Sequence, residues 1–573
     1  MTAASRWIRA HAGTLAIFAV ALAWGGVMHQ MGWAQLGHYA EVRALADGRK
    51  DIDPWHWESG DVAYIDGHYY SVKSPGVAAV SALPYLAIEE LGGLEVARDA
   101  AANASEATSP RWIPDQGPPY AQYGYDPGRA LEMQERIEDA TPVVWALTLL
   151  VAVIPSLLLL LGVRRIADRL EPGYGTIAAV TLGLGTILST FAAEFFSHAI
   201  STTLAFAAFA VLLREREGPP RPALVAAAGL LAGLAVTFEV QVGLVGVVLF
   251  GLVMARTDRL RRGVAYAAGT FAGALPHLIF NWWMLGSPLQ MAYGDAVARI
   301  GFSGHDEIGL NDDGFFGITL PRMDGFGEVL IGGRGLLVLT PVLLMAVVGV
   351  FLMHRRGRRV EALTIGGVAV AYLLYNAAYW QPLGGGTPGP RFMTPVLPFL
   401  ALGLAFAYRH RPATTLALAV PSVLWMALAN VTYPLVGYEG SVEWLNRLVD
   451  GQIEHTVLGA LGVGSNWVAL IPVLLAIGAA VALAVVATPW PRPEPADLRM
   501  SVAALAGWGA LFVIGPSIAG DAVTPLSGGG DALWFGLGCA LLALAAVAAL
   551  RYRSPGPGPP AVTGELALSD RTS

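Results

Sequence analysis

The chain has 573 residues, 55% of them hydrophobic and 14% charged, with a formal net charge of −7. This composition excludes a soluble multidomain protein, and arginines scattered over separate turns exclude a nucleic-acid groove. A single cysteine, Cys539, excludes an intrachain disulfide and a thiol-based metal centre.

From the N-terminus, Arg6 and Arg9 precede an apolar stretch from Gly13 to Trp33 with no small-residue cleavage pattern after it, so it is expected to be an uncleaved first transmembrane helix. Apolar runs long enough to cross a ~30 Å hydrocarbon core, about 20 residues each, then recur to Leu550. The expected crossings are about 13–33, 141–162, 174–193, 198–213, 223–238, 240–255, 263–285, 335–353, 361–379, 393–408, 413–433, 466–488, 501–519 and 532–550. Between alternate runs sit short basic turns, such as Arg256/Arg259/Arg261/Arg262 and Arg355/Arg356/Arg358/Arg359. With the termini, these turns hold 23 of the 36 Lys+Arg but only 10 of the 43 Asp+Glu, which assigns them to the cytoplasm.

The expected fold is therefore an all-α integral membrane protein, a polytopic bundle of about 14 transmembrane helices with both termini cytoplasmic. Pro75 to Leu94 is apolar but contains Pro84, Glu89 and Glu90. A crossing there would reverse the charge asymmetry, so an interfacial helix on the outer face is expected. Residues 554–573, rich in proline at their start, are expected to form a disordered cytoplasmic tail.

Two outer segments are long, about 34–140 and 286–334, and a third at 434–465 is smaller. Long loops in compact proteins are usually functional or disordered, so chemistry is expected on the extracytoplasmic face. The first loop reads HYAEVRALADGRKDIDPWHWESGDVAYIDGHYYSVKSPG from His38 to Gly76, with a hairpin expected around Asp66-Gly67. Lys73, with Tyr69 and Tyr70, offers charge and donors to a lipid-linked phosphate. The plain alternative is a snorkelling lysine in an interfacial aromatic belt. Glu41, Asp53, Asp61 and Asp66 are the candidate general bases of this loop, with Asp61 preferred and Asp66 equally explained by the turn.

Farther along, AEFFSHAIS carries Glu194 and His198, and TFEVQVG carries Glu239, both at outer helix ends, where ionisable groups commonly face a water-filled cavity. Arg334 begins an outer helix in GGRGLLVLTPVLL. Arg391 follows a Gly/Pro-rich loop in WQPLGGGTPGPRFMTPVLPFL, where glycine amides and a guanidinium suit an anion.

Taken together, GHYYSVKSPGVAAVSALPYL, FFSHA, GLLAGLAVTFEVQVG, FNWWMLGSPLQMAYG and the two arginine segments resemble the GT-C class of membrane glycosyltransferases. The nearest branch is similar to bacterial protein O-mannosyltransferases and aminoarabinose transferases, within a glycosyltransferase family 39-like group. The resemblance spans roughly residues 10–410 and implies a transferase core at 1–410, with additional helices at 411–553.

It also implies a function: transfer of a sugar from a polyprenyl-phosphate carrier to a glycan, lipid or protein acceptor outside the cytoplasm. The implied chemistry is inverting transfer. A carboxylate takes the acceptor proton, and Lys73, Tyr69, Tyr70, His198, Glu239, Arg334 and Arg391 surround the carrier phosphate and sugar. No cofactor is required by that scheme, although the outer acids leave a divalent ion open.

Two departures stand out. Many members of this class carry an acidic pair where this chain has Gln35-Leu36, and Glu239 stands where many carry lysine. Competing expectations are therefore a catalytically silent lipid-binding GT-C-like protein and a transporter or flippase. Absence of a repeat between halves argues against the transporter.

Overall fold

The computed structural model describes residues 3–107, 127–296, 314–436, 440–528 and 530–552. The expected tail at 554–573 lies outside the described residues. Helices dominate, because in lipid every backbone polar group has to be satisfied within its own segment.

Nine helices among the described residues are long and apolar enough to cross a membrane, or up to eleven if each of two bent pairs is one span. Helix also covers each of the fourteen ranges expected from sequence, but several pieces are short or broken. The expected crossing at 174–193 becomes Gly175–Leu184 and Leu188–Phe191, interrupted after Gly185, while Pro222–Phe238 is 17 residues long. Hydropathy alone merges such pieces into spans, whereas backbone breaks divide them.

Of the nine long apolar helices the most buried runs from Arg391 to His410, with 94% of its apolar stretch inside the protein. Around it the helices pack through small residues. Gly229 and Gly233 on Pro222–Phe238 face Gly269 and Gly273 on Arg259–Leu285, and a Cβ at any of these four would collide with backbone atoms of the opposite helix. Such small-xxx-small spacing lets two backbones approach closely, which is how helices associate where lipid removes the hydrophobic drive.

The first long loop folds into compact structure. Helix Trp33–Ala46 is largely buried, and the expected hairpin forms from Val62–Ile65 and His68–Ser71, with Val62 opposite Ser71. Asp66 and Gly67 make its turn at φ of 51° and 89°, a conformation that aspartate and glycine tolerate. The segment expected to lie at the interface is helix Gly76–Glu90, which meets the helix beginning at Gly93 at 91°. A bend that sharp is not one straight crossing. A two-residue ladder pairs Val27 with Thr456 and Met28 with His455, tying the end of the first helix to the third outer segment.

Candidate functional site

Sequence positions far apart converge on a cavity of about 480 Å³ beside the first long loop. Gly76 begins the approach. A Cβ there would stand 2.6 Å from the ring of Phe238, so this glycine lets the Lys73-to-Gly76 turn close onto the helix end that carries Glu239. Helix Trp33–Ala46 also packs beside Lys73 at Gly37, where a Cβ would make only ordinary contact, 3.6 Å from the Lys73 Cγ. His38 follows Gly37 and lines the cavity together with Lys73, His198, Glu239, Gln241 and Arg391.

Lys73 Nζ lies 2.6 Å from Asp61 Oδ2. Burial pushes the Lys73 ammonium below its usual range and Arg391 adds to this, while Asp61 opposes both. Arg391 enters from the opposite wall. Its stem runs past Gly384, which has φ +83° and where a Cβ would stand 2.6 Å from Arg391 Nε. The glycine loop thus makes room for the guanidinium. None of Gly384, Gly385 and Gly386 lines the cavity. Among the described residues no carboxylate forms an ion pair with Arg391.

Across from these cations, His198 Nδ1 stands 2.6 Å from Glu239 Oε1. Glu239 Oε2 accepts a hydrogen bond from Ser201 Oγ at 2.9 Å, and Gln241 Nε2 donates to Oε1. Tyr372 donates to the Gln241 carbonyl at 3.0 Å, fixing this turn against helix Arg359–Ala378. His38 has its pKa lowered to about 3, first by burial and then by the neighbouring Lys73, so its imidazole is neutral at pH 7.

The remaining walls are aromatic and aliphatic: Phe196, Phe238, Met284, Tyr375, Tyr379, Phe392 and others. Tyr293 and Tyr379 share a hydrogen bond between hydroxyls, and Asn281 Nδ2 lies 3.3 Å from His277 Nε2. On one side the lining includes Val240 and Val247, which are 39% and 69% exposed on the outer surface of the helical bundle. The chamber therefore opens sideways between helices as well as bordering the outer loop.

Of the residues singled out from sequence, Lys73, Arg391, His198 and Glu239 line this cavity, and Asp61 reaches it through Lys73. The others do not line it. Asp53 accepts from the Tyr69 amide at 2.7 Å and contacts His68 at 2.7 Å, while Asp66 makes the hairpin turn. Tyr69 stacks on His56, Tyr70 packs against Met284 and Ala292, and Arg334 donates to the carbonyls of Gly385, Thr387 and Val436. Glu41 is buried with neither carboxylate oxygen hydrogen bonded, and burial holds its pKa well above the ordinary range.

Gln35, at the position of the sequence departure, is also buried. Its Nε2 donates to Glu194 Oε2 at 2.9 Å and its Oε1 accepts from the Gly32 amide at 3.1 Å. His38, Gln241, Tyr375 and Tyr379 were not singled out by sequence, since nothing in their spacing separates them from ordinary interfacial residues. Among the described residues, the His and carboxylate ligand atoms close enough to share a cation belong to Asp51, Asp53 and His68, none of which lines the cavity.

No family model matches the chain, and no curated protein matches it. Its structure is similar to the crystal structure of ArnT from Cupriavidus metallidurans in the apo state, at 16% identity and a TM-score of 0.44, covering 95% of this chain and 77% of that one.

Proposed function

We propose that this protein is a membrane glycosyltransferase that moves a sugar from a polyprenyl-phosphate carrier to an acceptor at the extracytoplasmic face. One observation carries the reading: two cationic side chains, Lys73 and Arg391, stand in a chamber that is otherwise largely apolar and opens sideways at Val240 and Val247. A phosphate with an isoprenoid tail matches that combination, because the anion takes the charged end and the tail takes the lateral opening.

The chemistry follows from where charge develops. As the bond between the anomeric carbon and the phosphate oxygen breaks, negative charge grows on the leaving polyprenyl phosphate, and Lys73 and Arg391 stabilise it in a low-dielectric site. Arg391 suits bidentate contact with two phosphate oxygens, and Lys73 acts as a point charge. Asp61 keeps the partly desolvated Lys73 protonated and aimed. The sugar would occupy the polar side of the chamber near His38 and Gln241.

A second reading is a catalytically silent lipid-binding protein, favoured by the fully engaged Gln35 at the place where an acid is expected in the resembling class. Membranes containing the protein, given radiolabelled polyprenyl-phosphate sugars, separate the two. Transfer that is abolished in Lys73→Ala and reduced in Asp61→Asn supports the enzyme. Polyprenyl-phosphate binding without transfer from any donor supports the silent protein. Full activity in both variants defeats this site.

A further inference from the structure

We propose that His198 is the general base of the transfer, taking the acceptor proton on Nε2, with Glu239 as its positioning residue. This rests on the transferase reading above and assigns the group that the two cations do not supply.

Among the described residues, most groups able to take a proton are already committed or lie away from the cavity. Asp61 is committed to the Lys73 ammonium 2.6 Å away, a pairing that a proton taken from an acceptor would have to break. Glu239 has both carboxylate oxygens engaged, by His198, Gln241 and Ser201. Glu41, Asp53 and Asp66 do not line the cavity. His38 does, but burial and the neighbouring Lys73 disfavour its imidazolium, and among the described residues its Nδ1 has no hydrogen-bond partner.

His198 has what the others lack. It lines the cavity and its Nδ1 stands 2.6 Å from Glu239 Oε1, outside hydrogen-bond geometry, and among the described residues neither ring nitrogen has a hydrogen-bond partner, so Nε2 is left open to an acceptor. A small rotation of the ring would turn the Glu239 contact into an Nδ1–H bond, which selects the tautomer whose Nε2 bears the lone pair and stabilises the imidazolium formed when the acceptor proton is taken. The rings of Phe191, Phe196 and Phe392, with centroids 4.7, 5.4 and 6.2 Å from that of His198, hold the imidazole in one orientation. The helix from His198 to Arg216 also starts at this residue, so the ring sits at a fixed point on the scaffold.

The step balances without any further reactant. The acceptor oxygen forms a bond to the anomeric carbon while its proton passes to His198 Nε2. The bond from the anomeric carbon to the phosphate oxygen breaks, and its electron pair leaves with the polyprenyl phosphate. His198 then returns the proton to water.

The test uses the full-length protein in lipid nanodiscs, with tritiated polyprenyl phosphate for binding and a panel of radiolabelled polyprenyl-phosphate hexoses and pentoses for turnover. His198→Gln is expected to lower kcat by about 100-fold or more while polyprenyl-phosphate affinity changes by less than about twofold. Glu239→Gln is expected to lower kcat with KM unchanged, and Glu239→Asp to recover part of the loss. Added imidazole should restore turnover to His198→Ala.

Turnover in His198→Gln close to that of the wild type overturns the assignment. So does parallel loss of binding and turnover in every His198 and Glu239 variant, which would make the pair structural. Wild-type protein that turns over no donor, whether or not it binds polyprenyl phosphate, overturns the transferase reading itself, and this assignment with it.

Discussion

Lys73 and Asp61 form a close ion pair, 2.6 Å between Nζ and Oδ2, with both side chains about 15% exposed. Neither residue is near the other in a pattern a sequence reader would pair, since the hairpin from Val62 to Ser71 intervenes. The hairpin folds back on itself and delivers the two ends together.

That pairing predicts a pH dependence. Burial favours the neutral amine of Lys73 and Asp61 opposes this, so the native pKa of Lys73 sits below its ordinary value but above where burial alone would leave it. Removing the carboxylate lowers it further. Phosphate binding needs the cation, so in Asp61→Asn affinity for polyprenyl phosphate should decline as pH rises, beginning at a lower pH than in the wild type. Equilibrium binding across the neutral to alkaline range checks this, and superimposable profiles would remove Asp61 from its role.

Arg391 should tolerate little change. Arg391→Lys keeps the charge but loses the planar fork, and an affinity loss of about 10-fold or more for polyprenyl phosphate is expected. Gly384→Ala gives the same loss indirectly, because its new Cβ would meet the guanidinium stem and φ +83° is strained for alanine. Both variants should retain the wild-type thermal unfolding midpoint to within a few degrees.

His38 makes the protein acid-sensitive. Its native pKa is about 3 against an ordinary value of 6.5, so between those values the unfolded chain binds a proton that the native protein does not. Stability therefore rises with pH across that window and falls on acidification below about pH 6.5. The part due to this residue should vanish in His38→Gln, whose thermal midpoint should drop less between pH 7.5 and pH 5, values chosen to bracket an imidazole titration at about 6.5.

Close helix packing predicts where small residues are obligatory. Gly233→Val places a branched side chain against the Thr270 carbonyl of the facing helix and should destabilise by about 3 kcal/mol or more. Gly251→Ala, which meets nothing within 4 Å, should be neutral or slightly stabilising. Thermal unfolding in detergent distinguishes them.

Orientation is testable with the same chain. Cys539 is buried and replaceable by alanine, leaving a cysteine-free background. A membrane-impermeant maleimide added outside intact cells should label Asp66→Cys and leave Arg358→Cys untouched until the membrane is opened. The reverse pattern would invert the charge-based topology.

Much of the architecture was legible because membrane insertion depends on local properties. Twenty apolar residues in a row, and arginine on alternate turns, are read from neighbours along the chain, and helix was found on every expected range. The hairpin at Asp66-Gly67 was equally local, a turn signal between two β-prone runs. Crossing counts were less secure. Broken helices such as Gly175–Leu184 with Leu188–Phe191 look continuous to a hydropathy window, yet their backbone interruptions depend on packing.

The site divides along the same line. His198 and Glu239 could be nominated from sequence because an ionisable group at the end of an apolar helix is costly unless it faces a cavity, and Lys73 and Arg391 because a cation beside tyrosines or after a glycine-rich loop suits an anion. Tertiary structure alone decided which nominees share that cavity: it gathered these four, sent Arg334 to backbone carbonyls and Asp53 to the hairpin, and paired Asp61 with Lys73. Partner choice is a three-dimensional property. It turns on glycines such as Gly76 and Gly384, whose missing Cβ atoms admit Phe238 from a distant helix end in one case and Arg391 from the same loop in the other, and no one-dimensional pattern records which neighbour arrives.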